Sequence, residues 1–543
     1  MYLARAAVKT ARWRTRSPAA AGGGSLSNVR SASPLSLNSQ ARRDLHETPR
    51  QDAGIIVGGL GVAALATGVR YVLRAGRRMR EMEEAERRGE GRDGGGGGGG
   101  SSGSDEGNGG KRGSSTSAPA SAALVGPAFG VDFGTTSLRL ASSNAAGKAP
   151  EVVENREGHR WTPAALAFRG GDAPIVGSLA AVHRWQTPAS TLVNLQPLLG
   201  LPFADPLVSW LAGTVGYGLV DGGDCVAVEA VWAGANALPL PVDEAAVMLL
   251  RALADLRDHK LGGSAGATVL TRPVHFSASQ AAALEAAGTA AGLCIITSVP
   301  DALAAVAAAS ELGLLTPPGG EGSSSSSGGG GSSGRLVAVV DIGGRAAQCT
   351  IVDTAGADAS SGDFGFGGLA GAVVGHAWAP EAGGEAMVEA LVALLDENFL
   401  RANRDMSSLL ADGLALPRLH EAAQAAMLDL SQKASTDVNI PFITADRMGP
   451  KHVDCAVTRA QFERVADAVL FASAAPVGEA LAAAGVAAGN VGAVLVVGGC
   501  SRLPAVQEAA AKAFGRRPVV PVHSEEMAVL GAAIAARRAI YGS

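Results

Sequence analysis

Hydrophobic and polar positions divide the chain into an N-terminal part without a regular period and a C-terminal part in which two periods alternate. In the C-terminal part, β-branched apolar runs such as Arg335–Asp341 and Val491–Val497 predict strands. Stretches with helical spacing lie between such runs: Ala245–Asp258, Ala278–Ala291, Ala302–Leu312 and Gln461–Ala484. Strands that alternate with helices predict an α/β fold with mixed or parallel sheets.

One long apolar run lies outside this alternation. Ala53 to Val69 carries no charge, and the run extends to Leu73 if Arg70 reaches the membrane interface. It predicts one transmembrane helix over residues 53–73, with Gly54 and Gly58 at a spacing that permits close helix packing. A buried helix or a cleaved part of a targeting signal are the alternatives. Arginines follow the run, so we expect its C-terminal side to face a matrix-like compartment.

The segment before this run has the composition of a targeting signal. Residues 1–43 contain eight basic and no acidic side chains, together with many serines and alanines. Tyr2 to Trp13 fits a basic amphipathic helix, so residues 1–50 predict a transit peptide, with a disordered basic tail as the alternative. The arginine bias favours the mitochondrial inner membrane, and a plastid membrane is the alternative location.

Two tracts of glycine and serine separate the folded segments. Residues 74–124 begin with a short charged helix, Met79–Arg88, and continue as a tract too poor in apolar residues to fold. This tract predicts a flexible linker. Residues 317–334 predict a disordered insertion, which costs little closure entropy. The folded part is therefore 125–543.

Composition excludes several classes of function. The net charge is −5 and no basic stripe with interleaved aromatic residues occurs in the folded part, so nucleic acid is not an expected partner. The five cysteines stand singly, without a CxxC pair or a His/Cys cluster. Neither a zinc site nor a disulfide framework is therefore predicted.

Two acidic glycine-rich turns carry the candidate chemistry. Val131–Thr136 and Val340–Gly344 each join one apolar run to another, so each predicts a strand, a tight turn and a strand. Glycine lets the backbone approach a ligand, and the N–H groups of such a turn bind anions. Asp132 and Asp341 suit a hydrated divalent cation beside phosphates. Two such hairpins facing each other would hold a nucleotide with Mg.

Further segments in the same order resemble the nucleotide-binding domain of the heat shock protein 70 family, the DnaK-type chaperones. The resemblance covers about residues 126–540, and a kinase is not indicated because no His-Arg-Asp loop accompanies the Asp-Phe-Gly. In chain order the segments are Val131–Thr136, Val152–Pro163, Ile175–Gly177, Thr191–Gly200, Arg272–Phe276, Ser298–Ala307, Val340–Gly344, Asp363–Gly368, Ser435–Glu463, Gly498–Pro504 and Glu525–Ala533.

The resemblance implies an actin-like ATPase fold of two lobes, each with a ribonuclease-H-like sheet, that closes on ATP or ADP with Mg. By position, Asp132 and Asp341 would orient the hydrated Mg. The implied phosphate-binding residues are Gly134, Thr135, Thr136, Gly343 and Gly344, with Gly367 and Gly368 near the sugar and phosphates. The implied adenine-side residues are Ser431, Gly498, Gly499, Arg502 and Glu525.

The chain departs from this family where the chemistry takes place. The family's lysine near the attacking water falls on Gln196, and the glutamate of its Asn-Glu-Pro falls on Val299. The threonine and aspartate of its second hairpin fall on Ala346 and Gln348, and Arg345 replaces a glycine. Each lost electrostatic stabiliser costs ~10²–10³ in rate. In the adenosine pocket, the family's charged residues fall on Gln424, Met427 and Leu428, and the lost arginine stacking is worth ~0.5–2 kcal/mol.

A second resemblance concerns the membrane anchor. Gly68–Glu83 is similar to the end of the anchor of the J-protein subunit of the mitochondrial import motor. No His-Pro-Asp tripeptide occurs, so the anchor resemblance does not extend to J-protein activity.

We therefore expect a membrane-tethered pseudo-ATPase without a substrate-binding domain or client-peptide site. Its expected partners are J-proteins, nucleotide-exchange factors or import-motor subunits. The alternatives are an active but divergent Mg-dependent ATPase in chaperone-assisted folding or import, and a diverging gene product with residual function.

Overall fold

The computed structural model describes residues 127–144, 148–170, 173–233, 237–262, 266–315, 336–354 and 371–541. We call residues 127–315 the first lobe and residues 336–541 the second lobe. The predicted transit peptide, the predicted transmembrane helix, the linker and the 317–334 insertion lie outside the described residues, and so do Gly367 and Gly368.

The first lobe contains twelve strands and five helices among its described residues. The strands are β1 (Ala128–Phe133), β2 (Ser137–Ser143), β3 (Glu151–Val152), β4 (Thr162–Pro163), β5 (Ala165–Ala167), β6 (Ile175–Val176), β7 (Thr191–Val193), β8 (Leu219–Asp221), β9 (Val226–Val228), β10 (Leu240–Pro241), β11 (Ala267–Arg272) and β12 (Cys294–Pro300). The helices are α1 (Ser178–Gln186), α2 (Pro206–Leu211), α3 (Val242–Leu261), α4 (Ala278–Ala290) and α5 (Asp301–Glu311).

The second lobe has longer strands and helices. Its described strands are β13 (Leu336–Ile342), β14 (Ala347–Asp353), β15 (Ala372–Ala379), β16 (Ser435–Asp446), β17 (Gly449–Thr458) and β18 (Ala493–Val497). Its described helices are α6 (Gly384–Ala402), α7 (Ala415–Gln432), α8 (Arg459–Ala484), α9 (Pro504–Phe514) and α10 (Met527–Tyr541). The two strands and four helices predicted for the C-terminal part are confirmed, with ends that differ by at most three residues, whereas the helices predicted before residue 125 lie outside the described residues.

Helix ends follow the local sequence. Ser277 before α4 and Thr458 before α8 each form a capping box, with Gln280 and Gln461 respectively. In this motif the cap and the third helical residue satisfy each other's backbone N–H groups. Helices α3, α8 and α9 each end at a glycine in the left-handed conformation. Glycine is the usual residue there because it has no Cβ that would clash.

The main sheets of the two lobes share one strand order. In the first lobe, β1 pairs with β2 in antiparallel and with β11 in parallel orientation, which gives the order β12-β11-β1-β2-β3. In the second lobe, β13 pairs in the same two ways with β14 and β18, which gives the order β15-β14-β13-β18. The predicted mixed α/β fold is confirmed. The shared order places the turn after β1 and the turn after β13 at equivalent positions of two sheets.

Helices α5 and α10 lie between the two sheets. A buried apolar cluster joins their alanine-rich faces to Val269 and Ala128 of the first sheet and to Val337 and Leu495 of the second. Each lobe has its own larger core outside this layer. The two lobes are thus packed on shared helices, and the two hairpin turns end at the cleft between them.

One described helix, α8, is long and apolar enough to cross a membrane by length and composition alone. Its Phe462, Ala466, Val477 and Ala480 are buried in the core of the second lobe. A core helix of this composition meets the same criterion.

Candidate functional site

The first hairpin turn connects β1 to β2 at residues 134–136. The Gly134 N–H donates to the Ser137 carbonyl at 3.0 Å, and a Cβ at Gly134 would lie 2.8 Å from that oxygen. Only glycine therefore fits this turn without a shift of the backbone. Asp132 stands at the end of β1, where Thr271 Oγ1 donates to its Oδ1 at 2.6 Å and Arg139 Nη1 lies 3.6 Å from its Oδ2.

The second hairpin turn connects β13 to β14 and repeats this geometry. The Gly343 N–H donates to the Ala346 carbonyl at 3.0 Å, as Gly134 donates to Ser137 in the first turn. Asp341 stands in β13 at the place that Asp132 occupies in β1. The predicted pair of strand–turn–strand hairpins is confirmed.

The two turns meet across the cleft. A Cβ at Gly344 would overlap the side chain of Thr136, so the turns touch at this glycine. Gly498 follows β18 with φ +86°, and a Cβ there would overlap Asp341 Oδ1 and the Ile342 carbonyl. The structure therefore brings together Asp132, Thr136, Asp341, Gly344 and Gly498 from three separate chain segments.

Gln196 is bound to the first hairpin. Thr135 Oγ1 donates to Gln196 Oε1 at 2.8 Å, and Gln196 Nε2 donates to the Phe133 carbonyl at 2.7 Å. The side chain is buried and bonded at both its oxygen and its nitrogen. Gln196 therefore fixes the hydroxyl of Thr135 and adds no positive charge to the cleft.

A third carboxylate, Asp301, joins the two aspartates found from the sequence. Gln348 Nε2 donates to Asp341 Oδ2 at 2.9 Å and to Asp301 Oδ2 at 2.8 Å. Burial, and then the charge of Asp341, raises the pKa of Asp301 to about 7. Burial also raises the pKa of Asp341, against the hydrogen bond from Gln348. Gln348 therefore links Asp341 of the second lobe to Asp301 of the first lobe.

Val299 does not reach this site. Its side chain is fully buried in the apolar layer between the sheets, two residues before Asp301. Sequence reasoning missed Asp301, although an aspartate that opens a helix directly after Val299-Pro300 was a usable signal.

Arg345 pairs with acidic residues of its own lobe and contacts the first lobe. Its Nη2 donates to Glu381 Oε1 at 2.9 Å, and its Nη1 lies 3.5 Å from Glu385 Oε2. The guanidinium stands over the Trp210 ring at 5.9 Å from the centroid. Arg184 of the first lobe also pairs with Glu385, at 2.7 Å. Arg345 therefore acts as a tie between the lobes.

A second Gly-Gly pair lies at the second hairpin. The N–H groups of Gly383, Gly384 and Glu385 donate to the carbonyls of Arg345, Gly343 and Gly344, at 3.0, 3.0 and 2.7 Å. A Cβ at Gly384 would lie 2.7 Å from Cys500 Sγ. From the sequence, Gly367 and Gly368 were expected near the sugar and phosphates, and both lie outside the described residues. The Gly383-Gly384-Glu385 sequence directly before an amphipathic helix was the signal that could have identified the second pair.

The predicted adenine-side residues form one paired group and one separate residue. Arg502 Nη2 donates to both carboxylate oxygens of Glu525 at 2.6 Å, and Ser524 links Glu525 to the Gly498 carbonyl. A Cβ at Gly499 would meet no atom within 4 Å, so space is open beside it. Ser431 donates to the Leu428 carbonyl of its own helix at 2.7 Å. Arg502 and Glu525 thus satisfy each other.

Aromatic contacts join the lobes at two further places. Trp185 of α1 stacks on His420 of α7 with ring centroids 3.8 Å apart, and burial lowers the pKa of His420 to about 4. His275 of the first lobe stacks on Trp378 of β15 at 4.2 Å, and burial lowers the pKa of His275 to about 4 as well. Both imidazoles are therefore neutral at pH 7, and the lobes are held by stacking as well as by ion pairs.

The donor set fits a hydrated Mg²⁺ better than it fits the chemistry of hydrolysis. Carboxylate oxygens are hard ligands, and Mg²⁺ is usually bound by a few of them while it keeps several waters. Two glycine turns beside these carboxylates fit a phosphate chain. The side chains at 196 and 345, however, are committed to protein partners.

One comparison with known proteins adds to this geometry. The family model described as Hsp70 protein matches residues 128–540 of the chain. The match spans both lobes and every site residue described above.

Proposed function

Because this chain belongs to the Hsp70 family, we propose that its folded part is a nucleotide-binding domain that binds ATP or ADP with Mg weakly and does not turn ATP over at a useful rate. An actin-like fold is part of this proposal. The two main sheets of equal strand order, with α5 and α10 packed between them, support it.

The engagement of Gln196 and Arg345 carries the proposal. Phosphoryl transfer in such sites depends on positioning and on positive charge that neutralises the γ-phosphate. Gln196 is neutral and hydrogen-bonded to Phe133 and Thr135, while Arg345 forms ion pairs with Glu381 and Glu385. Neither residue is free to neutralise charge that develops in the cleft.

Weak nucleotide binding predicts a measurable binding signal without ATP hydrolysis. Mg·ADP should raise the melting temperature of the purified full-length protein by a small amount, since a ligand that binds only the folded state stabilises it by mass action. Phosphate release from Mg·ATP should stay at the level of an Asp132→Asn variant, which keeps the turn but removes the carboxylate. Turnover above that level, lost in the variant, would contradict the pseudo-ATPase proposal.

Turnover that is lost in Asp132→Asn would instead indicate the second candidate function, an active but divergent Mg-dependent ATPase. Asp301 is the observation that favours it, because it returns a carboxylate to a site from which the family's glutamate and second-hairpin aspartate are missing. Among the described residues, Arg139 is paired with Asp132, and Arg345 with Glu381 and Glu385, which argues against it.

We also propose that the domain works as a docking module for J-proteins, nucleotide-exchange factors or import-motor subunits. The proposal places it at the mitochondrial inner membrane, facing the matrix, with a plastid membrane as the alternative. Its support is the uncharged run at 53–69, the arginines behind it and the glycine-rich linker. A flexible tether keeps such a module at a high local concentration beside its partners.

The tether predicts the behaviour of the protein in membranes. After alkaline carbonate extraction, the full-length protein should stay in the membrane pellet, because a spanning helix is not released by charge neutralisation. A matched variant without residues 53–73 should move to the soluble fraction. Recovery of the unaltered protein in the soluble fraction would rule out the anchor.

A further inference from the structure

We propose that Asp301 is a cation-binding residue, which together with Asp132 and Asp341 holds the hydrated divalent cation of this site. The inference rests on the Mg binding that is part of the proposed function. It adds a carboxylate that the family's motif does not contain. It requires no hydrolysis.

The position of Asp301 is fixed by its neighbours. It opens α5 directly after β12, so it stands at the end of a strand of the first sheet, beside the cleft. Its Oδ1 accepts a hydrogen bond from the Ala302 N–H at 2.7 Å, and its Oδ2 accepts one from Gln348 Nε2. The carboxylate is therefore oriented by one bond within its own lobe and one bond from the other lobe.

Gln348 is the positioning residue of this arrangement. One amide nitrogen donates to Asp341 Oδ2 and to Asp301 Oδ2, at 2.9 and 2.8 Å. Two carboxylate oxygens that share one donor are brought close together, although their charges repel. The second oxygen of Asp301 accepts the Ala302 N–H, and Oδ1 of Asp341 faces the backbone at Gly498.

The charges of the site are incompletely balanced by the protein. Arg139 lies 3.6 Å from Asp132, and Arg272 acts on Asp301 electrostatically. Three carboxylates, those of Asp132, Asp301 and Asp341, stand against these two guanidinium groups. A divalent cation would supply the positive charge that this set of oxygen ligands still lacks.

The backbone at Gly498 borders this site. Gly498 has a positive φ and packs on Asp341 only because it has no Cβ, and space is open beside Gly499. Val299, whose position in the family holds a glutamate, is buried in the apolar layer. Asp301 is then the carboxylate from β12 and α5 that reaches the two hairpin aspartates.

Mn²⁺ binding tests the proposal without any turnover. Free Mn²⁺ is measured by electron paramagnetic resonance in titrations of the full-length protein in detergent, without nucleotide and with ADP. Asp301→Asn keeps the shape and an oxygen acceptor for Gln348 but removes the charge. We expect it to weaken Mn²⁺ affinity about 10–100-fold, the range seen when a partner of a metal site is lost. The control Asp437→Asn removes an exposed carboxylate of β16 and should leave the affinity unchanged.

A melting curve in EDTA accompanies each titration. Asp301→Asn should melt at the same or a higher temperature than the wild type, because it relieves repulsion between neighbouring carboxylates, so weaker Mn²⁺ binding would not reflect unfolding. Equal Mn²⁺ affinity of variant and wild type would overturn the inference and leave the proposed function intact. Absence of Mn²⁺ binding by the wild type, with and without ADP, would overturn it as well. The ADP-dependent melting shift and phosphate release then report separately on the proposed function.

Discussion

The variant Gly531→Ala is expected to lose about 3 kcal/mol of folding free energy, at the upper end of the cost of overpacking a core. Gly531 lies in α10 where this helix crosses α5, and a Cβ there would overlap the carbonyl oxygen and carbon of Ala304. Both atoms belong to the backbone, so no side chain can rotate away. The two helices would have to separate in the layer that joins the sheets.

A matched glycine shows whether the close approach is the cause. Gly478 in α8 is exposed, and a Cβ there would meet no atom within 4 Å. Gly478→Ala should therefore be neutral or stabilise the protein by up to about 1 kcal/mol, the difference in helix propensity. Urea unfolding of both variants gives the comparison. Equal midpoints for Gly531→Ala and the wild type would show that α5 and α10 are not in contact at this point.

Removing the side chain of Arg160 is expected to have the second largest effect. Its Nε and Nη2 donate to the two oxygens of Glu526 at 2.6 and 2.7 Å, and Glu526 is only 2% exposed. Arg160→Ala leaves a buried carboxylate without its partner. We expect a loss of about 2–3 kcal/mol, less than the ~3–5 kcal/mol typical of a broken buried pair. The reduction is expected because the Arg160 side chain is 42% exposed.

A second substitution separates the lost charge from the lost packing. Adding Glu526→Gln to Arg160→Ala should recover part of the stability, since a buried amide is less costly than a buried, unpaired carboxylate. Lys433→Ala breaks an exposed pair with Asp429 and serves as the control, with little or no expected change in the urea midpoint. If the double variant unfolds at the same urea concentration as Arg160→Ala, the stranded charge is not the cause.

Local pattern was sufficient for the elements and for the two hairpins. The β-branched run before Asp341 and the capping box before α8 are decided by residues close together in the chain. The turns at Gly134 and Gly343 form the same hydrogen bond three residues on, which is a local geometry that glycine permits. For this reason strands, helices and turns were predicted to within a few residues.

The hydrogen-bond and ion-pair partners of the site residues could not be predicted from local sequence pattern. Gln348 lies 47 residues from Asp301 in the chain, and Gln196 lies 61 residues from Thr135. Arg345, which replaces a glycine of the family, pairs with Glu381 before α6 and with Glu385 in its first turn. Such pairings depend on how strands and helices pack in three dimensions, and the spacing of residues in the sequence does not specify that packing.

By itself the sequence determined the class of fold, the two acidic glycine turns and the residues missing from them, because these depend on residue type and short spacing. The tertiary structure decided that Asp301 joins the two hairpin aspartates, that Gly383 and Gly384 support the second turn, and that Gln196 and Arg345 are already bonded. The physical reason is that charge and hydrogen bonding act through space. Packing of α5 and α10 between the two sheets brings distant carboxylates and amides within bonding distance.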